Sequence, residues 1–134
     1  MTAILDAGPL ISLWGRVDKQ KVEHRDWAQH LFRTYQGPFY TSELVLSEVA
    51  HLTGRDVEIV ELINSGFLLL GASLKEDAPA IERCLSAYRH CDLADASIIA
   101  ASERRPKLPI LTTDRRHFTT YRRRDKSAPE LVLP

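Results

Sequence analysis

Short apolar segments of strand length alternate with helical segments along the chain, and this alternation limits the possible folds more than any other feature. The strand-like segments are residues 3–5, 39–41, 67–70, 110–112 and 130–133. Between them apolar residues recur at helical spacing. Neighbouring parallel strands require helical crossovers of this kind. The sequence therefore predicts a three-layer α/β/α domain with a central, mostly parallel sheet of about five strands.

Several helix boundaries can be placed from local signals. Apolar spacing predicts a helix over residues 18–35, which Gly37 and Pro38 would end. Ser42 is placed to cap a helix that runs to Thr53. Asp77, followed by Pro79, is expected to begin an amphipathic helix that leads to Tyr88.

The size and composition of the chain favour one domain in an aqueous compartment. Its 134 residues, 44% of them hydrophobic, are enough for one core, so residues 1–134 are assigned to a single domain. No apolar run approaches the roughly 20 residues of a membrane span, and residues 1–6 lack the basic start of a signal peptide. A cytoplasmic location without membrane attachment is expected. Cys84 and Cys91 would be about 10 Å apart on a continuous helix, too far for a disulfide.

Acidic residues occur at strand ends and on apolar helix faces, where burial is expected. Asp6 and Asp114 follow the segments 3–5 and 110–112, while Asp92 and Asp95 lie one turn apart at the start of an apolar helix. Glu48 has apolar neighbours at helical spacing. Each has an ordinary alternative: a turn residue, a helix N-cap or a boundary glutamate. Their combined placement at one sheet edge is the informative observation.

Carboxylates that converge in this way need a compensating cation. A site made only of oxygen ligands selects a hard ion, Mg²⁺ or Mn²⁺, over zinc. Such an ion polarises a phosphoryl oxygen and lowers the pKa of a bound water. Phosphodiester hydrolysis is therefore the expected chemistry, with in-line attack by water that leaves a 5′-phosphate and a 3′-hydroxyl.

Four stretches together resemble the successive motifs of PIN-domain ribonucleases, and in particular the VapC-type toxins of bacterial toxin–antitoxin systems. They are Asp6-Ala7-Gly8-Pro9-Leu10, Ser47-Glu48-Val49, Asp92-Leu93-Ala94-Asp95-Ala96 and residues 111–118, Leu-Thr-Thr-Asp-Arg-Arg-His-Phe. The resemblance covers nearly the whole chain in order.

The resemblance implies a PIN fold and a Mg²⁺- or Mn²⁺-dependent endoribonuclease. It implies catalytic and metal-binding roles for Asp6, Glu48, Asp95 and Asp114. Thr112 matches a supporting hydroxyl position, and Asp92 is an additional acid that is either a ligand or a group supporting one. It further implies a cognate antitoxin protein and a homodimer.

Three other functions compete with this interpretation. A PIN-like module that binds RNA or a protein partner with little catalysis is the strongest alternative. A receiver-type signalling domain would need an acceptor aspartate after its third strand, where residues 67–71 contain none. A phosphatase with an aspartyl nucleophile usually has a second Asp two residues after the first, where this chain has Gly8.

The charge distribution predicts an RNA-binding surface near the last acidic motif. Residues 104–134 contain nine Lys and Arg but three acids, whereas the formal charge of the whole chain is zero. Arg104 and Arg105 are interpreted as ordinary cations at a helix C-terminus. Contacts to RNA phosphates are expected from Arg115, Arg116, Arg122, Arg123 and Arg124. The five histidines are assigned no role, and no serine has the partners of a nucleophilic triad.

Overall fold

A computed structural model describes residues 2–15 and 22–134, which form five strands and seven helices. The strands are β1 (Ala3–Leu5), β2 (Phe39–Thr41), β3 (Leu68–Leu70), β4 (Ile110–Leu111) and β5 (Leu131–Val132). The helices are α1 (Ala7–Trp14), α2 (Val22–Thr34), α3 (Glu43–Thr53), α4 (Asp56–Asn64), α5 (Leu74–Ala87), α6 (Leu93–Arg104) and α7 (Arg115–Phe118).

The five strands form one parallel sheet in the order β3-β2-β1-β4-β5. The central strand β1 pairs with β2 on one side and β4 on the other, with Ile4 opposite both Tyr40 and Ile110. All three residues of β1 are fully buried, as expected for a strand covered on both faces. The predicted three-layer α/β/α architecture with a parallel sheet of five strands is confirmed.

Helix α6 packs against the middle of the sheet, and the predicted acids Asp92 and Asp95 lie at its N-terminal end. Residues 96–100 are all buried, and Ile98 and Ile99 are fully enclosed in the core between the sheet and α5. The small side chains at 96 and 100 allow this close approach. The N-terminus of α6 is thereby held at a fixed position relative to β1 and β2.

The boundaries of α3 are those that the sequence predicts. The Ser42 hydroxyl accepts a hydrogen bond from the Val45 amide at 3.1 Å, which makes it the N-cap. The helix ends where Gly54 takes a left-handed conformation, with φ of 69°. Val45, Leu46 and Val49 form its buried face.

The predicted start of α5 at Asp77 is wrong. The helix begins at Leu74 because Ser73 accepts a hydrogen bond from the Glu76 amide and donates one to the Glu76 carboxylate. Asp77 lies instead in the first turn, buried, and binds Arg104 at 2.7 Å. Arg104 is thus more than a cation near the end of α6, because it compensates a buried charge.

Three other sequence predictions can be compared with the structure. Residues 115–118 form one helical turn, α7. Residues 18–21 of the predicted second helix lie outside the described residues, and the described part of that helix is α2. Cys84 and Cys91 form no disulfide, as predicted, and Cys84 is buried in the core. Among residues 2–15 and 22–134, no helix has the length and apolarity needed to cross a membrane.

Candidate active site

The acidic residues of the two central strands meet at the carboxyl edge of the sheet. Asp6 directly follows β1 and Thr112 directly follows the neighbouring strand β4, and both are buried. The Thr112 hydroxyl donates a hydrogen bond to Oδ2 of Asp6 at 2.7 Å. Burial raises the pKa of Asp6 to about 6, the nearby charges of Glu48 and Asp114 add to this effect, and the Thr112 hydrogen bond opposes it.

Thr112 also fixes Asp114. Its hydroxyl oxygen accepts a hydrogen bond from the Asp114 amide at 3.1 Å. The Asp114 carboxylate then caps α7, because Oδ1 accepts a hydrogen bond from the His117 amide at 3.0 Å. Oδ2 of the same carboxylate lies 3.0 Å from Nδ1 of His117. The buried Thr112 hydroxyl therefore positions both the Asp6 carboxylate and the Asp114 backbone.

The N-terminus of α6 presents the next two acids. Asp92 is exposed and caps the helix, since its Oδ1 accepts a hydrogen bond from the Asp95 amide at 2.8 Å. The Asp95 side chain is half-buried and its Oδ2 accepts a hydrogen bond from the Tyr121 hydroxyl at 2.7 Å. Burial raises the pKa of Asp95 to about 7; the Tyr121 hydrogen bond opposes this shift, and the charges of Asp92, Asp6 and Asp114 reinforce it.

Glu48 lies at the rim of this group and not on the apolar face of α3 that the sequence suggested. The residue is exposed, and the buried face of α3 is formed by its neighbours. Partial burial of the carboxyl group raises its pKa, and the negative charge of Asp92 adds to the rise. Glu48 in turn raises the pKa of Asp6. All five predicted acids therefore belong to one electrostatically coupled group.

Gly8, in the first turn of α1, allows this helix to approach the loop after β4. A Cβ atom at Gly8 would clash with Oγ1 of Thr113 and would lie 2.9 Å from the Thr113 backbone nitrogen. No side chain fits in this gap without moving the loop that holds Thr112 and Asp114. The absence of a side chain at position 8 is thus part of the site geometry.

The donor chemistry of this group fits a divalent cation. Asp6 and Asp95 accept hydrogen bonds from hydroxyl groups, and within the described chain neither forms an ion pair with Lys or Arg. Buried carboxylates without basic partners are the oxygen ligands that Mg²⁺ and Mn²⁺ prefer. In residues 2–15 and 22–134, however, no three Asp, Glu, His or Cys side chains already have the arrangement of a metal site. The types of ligand therefore suit a divalent cation, but the described residues are not already arranged around a metal site.

Comparison with known proteins decides the family. The family model described as PIN domain matches residues 3–123. The chain belongs to the PIN-domain family. A search of curated protein sequences finds no significant match. The PIN domain is a nuclease-type fold whose members are generally metal-dependent ribonucleases, so hydrolysis of nucleic acid is the activity associated with this architecture.

The arginines that were predicted to bind RNA have different surroundings in this PIN domain. Arg123 donates hydrogen bonds to Ser102, Ser127 and the Pro106 carbonyl, so its guanidinium group holds the C-terminal segment against α6. The guanidinium group of Arg122 donates to two backbone carbonyls of its own loop. These contacts orient both groups towards the protein, and their roles in RNA binding stay predictions.

The remaining three predicted arginines are exposed. Arg115 donates a hydrogen bond to the Pro134 carbonyl at 3.1 Å. The side chains of Arg116 and Arg124 form no hydrogen bond or ion pair within the part of the chain that the structure describes. Arg116 follows Asp114 by two residues in the sequence.

Sequence reasoning missed Tyr121, which the PIN domain uses to hold Asp95. Tyr121 is 1% exposed and is packed edge-on against Phe118 and Tyr88. No periodicity indicates this burial, because the residue lies in a loop after α7. The sequence contained one signal for this burial, a tyrosine directly before three arginines. A large aromatic ring within a charged loop tends to pack against apolar residues.

A separate cleft lies beside strands β2 and β3. It has a volume of about 790 Å³ and lies beyond the carboxyl ends of β2 and β3, between the starts of α3 and α5. None of the five acids lines it. Its wall contains the Ser42 and Ser97 hydroxyl groups, 2.7 Å apart, and the Arg105 guanidinium group, which lies 3.8 Å over the Tyr40 ring.

Proposed function

We propose that the protein is a metal-dependent endoribonuclease that hydrolyses RNA phosphodiester bonds and leaves a 5′-phosphate and a 3′-hydroxyl. The observation that supports this proposal is the pair of carboxylates Asp6 and Asp95, whose pKa values are raised by burial and by nearby acidic groups. Neither forms an ion pair with Lys or Arg within residues 2–15 and 22–134. A group of this kind gains most from a divalent cation. Membership of a nuclease-type family supports the same reaction.

The proposed roles follow from where each side chain lies. Asp6, Asp95, Asp114 and Glu48 would hold Mg²⁺ or Mn²⁺, which when bound polarises the phosphoryl oxygen and lowers the pKa of a water. Thr112 and Tyr121 orient two of these carboxylates through hydrogen bonds at 2.7 Å. Asp92 caps α6 through its carboxylate, and we propose that it is either a ligand of the ion or a group that supports a ligand.

Cleavage of a single-stranded RNA by purified protein, with and without metal, tests the proposal. The expected result is cleavage in Mg²⁺ or Mn²⁺ and none in EDTA, with most activity lost in four variants: Asp6→Asn, Glu48→Gln, Asp95→Asn and Asp114→Asn. Asp56→Asn is the matched control, because Asp56 is an exposed acid in the first turn of α4. Asp92→Asn is expected to cause a mild loss if Asp92 only supports the ligands.

Two results would overturn the mechanism. Full activity in EDTA would exclude a metal-dependent reaction. Products that end in a 2′,3′-cyclic phosphate would show attack by the ribose hydroxyl and not by water. Circular dichroism of each variant separates loss of chemistry from loss of fold.

We further propose that the protein is the toxin of a type II toxin–antitoxin system, acts in the cytoplasm, forms a homodimer and is inhibited by a cognate antitoxin. The VapC-like motifs around Asp6, Glu48, Asp95 and Asp114 support this assignment. Expression of the protein alone is expected to slow bacterial growth, whereas Asp95→Asn should not. Equal growth of cells that express either form would contradict the toxin role and would not affect the nuclease proposal.

A second candidate is a PIN module that binds RNA or a protein partner with little catalysis. It is favoured by one observation, the lack of a preformed three-ligand site in residues 2–15 and 22–134. RNA binding that is unaffected by Mg²⁺, together with no cleavage at any metal concentration, would support this candidate over the nuclease.

A further inference from the structure

A small cleft lies beside the acidic group, between the α5–α6 connection and α7. Its volume is about 330 Å³, at the lower end of the range for small-molecule sites. This is enough space for a group of roughly the size of one nucleotide. Its charged and aromatic lining residues are Tyr88, Arg89, His90, Arg116, His117 and Tyr121.

Two walls of the cleft are hydrogen-bonded directly to candidate acids. The Tyr121 hydroxyl donates to Asp95 at 2.7 Å, and Nδ1 of His117 lies 3.0 Å from Oδ2 of Asp114. The cleft therefore adjoins the acidic group through Tyr121 and His117, which line the one and are hydrogen-bonded to the other.

The cleft carries cations that have no partner among the described residues. Arg89 and Arg116 are exposed, and neither side chain forms a hydrogen bond or an ion pair within residues 2–15 and 22–134. By contrast, Arg122 and Arg123 donate to carbonyl and hydroxyl groups of the protein. A guanidinium group without an intramolecular partner can bind a phosphate through two parallel hydrogen bonds.

The cleft also offers flat rings for a base. The His90 and His117 rings lie 5.7 Å apart between centroids and are tilted by 36°, and His90 is exposed. The wall behind them is rigid, because Tyr88 packs edge-on against Tyr121 and its hydroxyl accepts a hydrogen bond from the Arg122 amide at 2.9 Å. Proteins that bind single-stranded RNA commonly combine stacking rings with basic groups in this way.

We propose that this cleft is a nucleotide subsite, in which Arg89 and Arg116 bind a phosphate next to the cleaved bond and His90 stacks on the adjoining base. The proposal rests on the proposed function for the location of the cleaved bond. It assigns RNA contacts to Arg89 and His90, which lie outside the basic C-terminal segment.

Binding of a labelled single-stranded RNA, measured by fluorescence anisotropy, tests the subsite in an Asp6→Asn background that does not cleave. Arg89→Ala and Arg116→Ala are each expected to weaken binding about fivefold, as for an exposed charge pair. Each should also reduce the slope of log affinity against log salt by roughly 0.7, the value for one phosphate contact on a single strand. Arg33→Ala is the matched control, because Arg33 is an exposed arginine at the end of α2 that does not line the cleft.

The base contact is tested separately with an abasic strand of the same length. His90→Ala should weaken binding of the RNA and leave binding of the abasic strand unchanged. Affinities and salt slopes of the two arginine variants that equal those of Arg33→Ala would overturn the subsite.

The subsite and the nuclease can fail independently. Wild-type protein that binds RNA through Arg89 and Arg116 but never cleaves it would retain the subsite and reject the nuclease. Cleavage with an unchanged KM in both arginine variants would retain the nuclease and reject the subsite. A raised KM with little change in kcat is the result expected if both proposals are right.

Discussion

Two buried or half-buried carboxylates, Asp6 and Asp95, determine how the domain responds to pH. In the unfolded chain both have an ordinary pKa of 3.8, whereas in the folded protein burial raises these values to about 6 and about 7. At pH values between the unfolded and the folded pKa values, the folded state binds more protons than the unfolded state. The free energy of unfolding therefore decreases as the pH rises through this range.

The metal-free protein is expected to lose on the order of 1–3 kcal/mol of unfolding free energy as the pH rises from near the unfolded to near the folded pKa values. Denaturant unfolding in EDTA at a series of pH values measures this loss. Asp6→Asn should make the curve less steep, because the amide does not titrate and Asp95 alone still does, while the control Asp56→Asn should keep the wild-type slope. A wild-type stability that is constant across this range would contradict the burial of these charges.

Tyr121 makes a separate prediction for Asp95. Its hydroxyl stabilises the ionised carboxylate, so Tyr121→Phe is expected to raise the pKa of Asp95 further and to cost about 1 kcal/mol of stability. Carboxyl ¹³C NMR of the metal-free protein measures the pKa directly. Tyr88→Phe is the control, because it removes a hydroxyl that binds the Arg122 amide and not an acid. An Asp95 pKa that is the same in both variants would show that the Tyr121 hydrogen bond does not form in solution.

At the scale of the elements, the start of α1 and the loop after β4 must approach closely for the site to exist. Gly8→Ala would place a methyl group against the Thr113 side chain and backbone. The expected result is a loss of about 1–3 kcal/mol, as for other overpacked positions, and a larger loss of cleavage because Asp114 moves with its loop. Thermal unfolding and RNA cleavage measure the two effects.

Gly71→Ala is the control for this substitution. Its added Cβ would lie 3.7 Å from the Thr41 carbonyl oxygen, an ordinary contact. It should therefore leave stability and cleavage near the wild-type values. Equal effects of the two alanines would show that the tight contact at Gly8 has no role in the site.

The helices and strands could be predicted from local sequence patterns. The contacts between residues far apart in the sequence could not. The strands could be predicted because each is a short apolar run, and α3 could be predicted because Ser42 and Gly54 mark both ends. The start of α5 was misplaced because Asp77 and Pro79 form a common N-terminal signal, whereas the capping group is Ser73. The acids could be located by their strand ends, but the hydrogen bond between Tyr121 and Asp95 joins residues that no local pattern connects.

At the scale of the whole molecule, metal binding should connect the site to global stability. A ligand that binds only the folded state raises its stability by mass action. Since protons compete with the ion for the carboxylates, Mg²⁺ or Mn²⁺ should raise the melting temperature more above pH values of about 7 than below about 6, the pKa values of Asp95 and Asp6.

Thermal shift assays with and without metal at both pH extremes measure this effect. Asp95→Asn should reduce the shift at high pH, and the Asp56→Asn control should retain it. A metal-induced shift that is larger at low pH would contradict binding by these carboxylates.

The sheet order has a consequence for how the protein is made. The central strand β1 is the first strand synthesised, and its partner β4 follows only after β2, β3 and the six helices α1–α6. Asp6 and Asp114 come from the ends of these two strands, so a nascent chain on the ribosome has an incomplete set of acids until β4 has emerged. If the proposed nuclease is correct, the emerging polypeptide cannot attack the message that encodes it before β4 has been synthesised, because its reactive centre is incomplete until then.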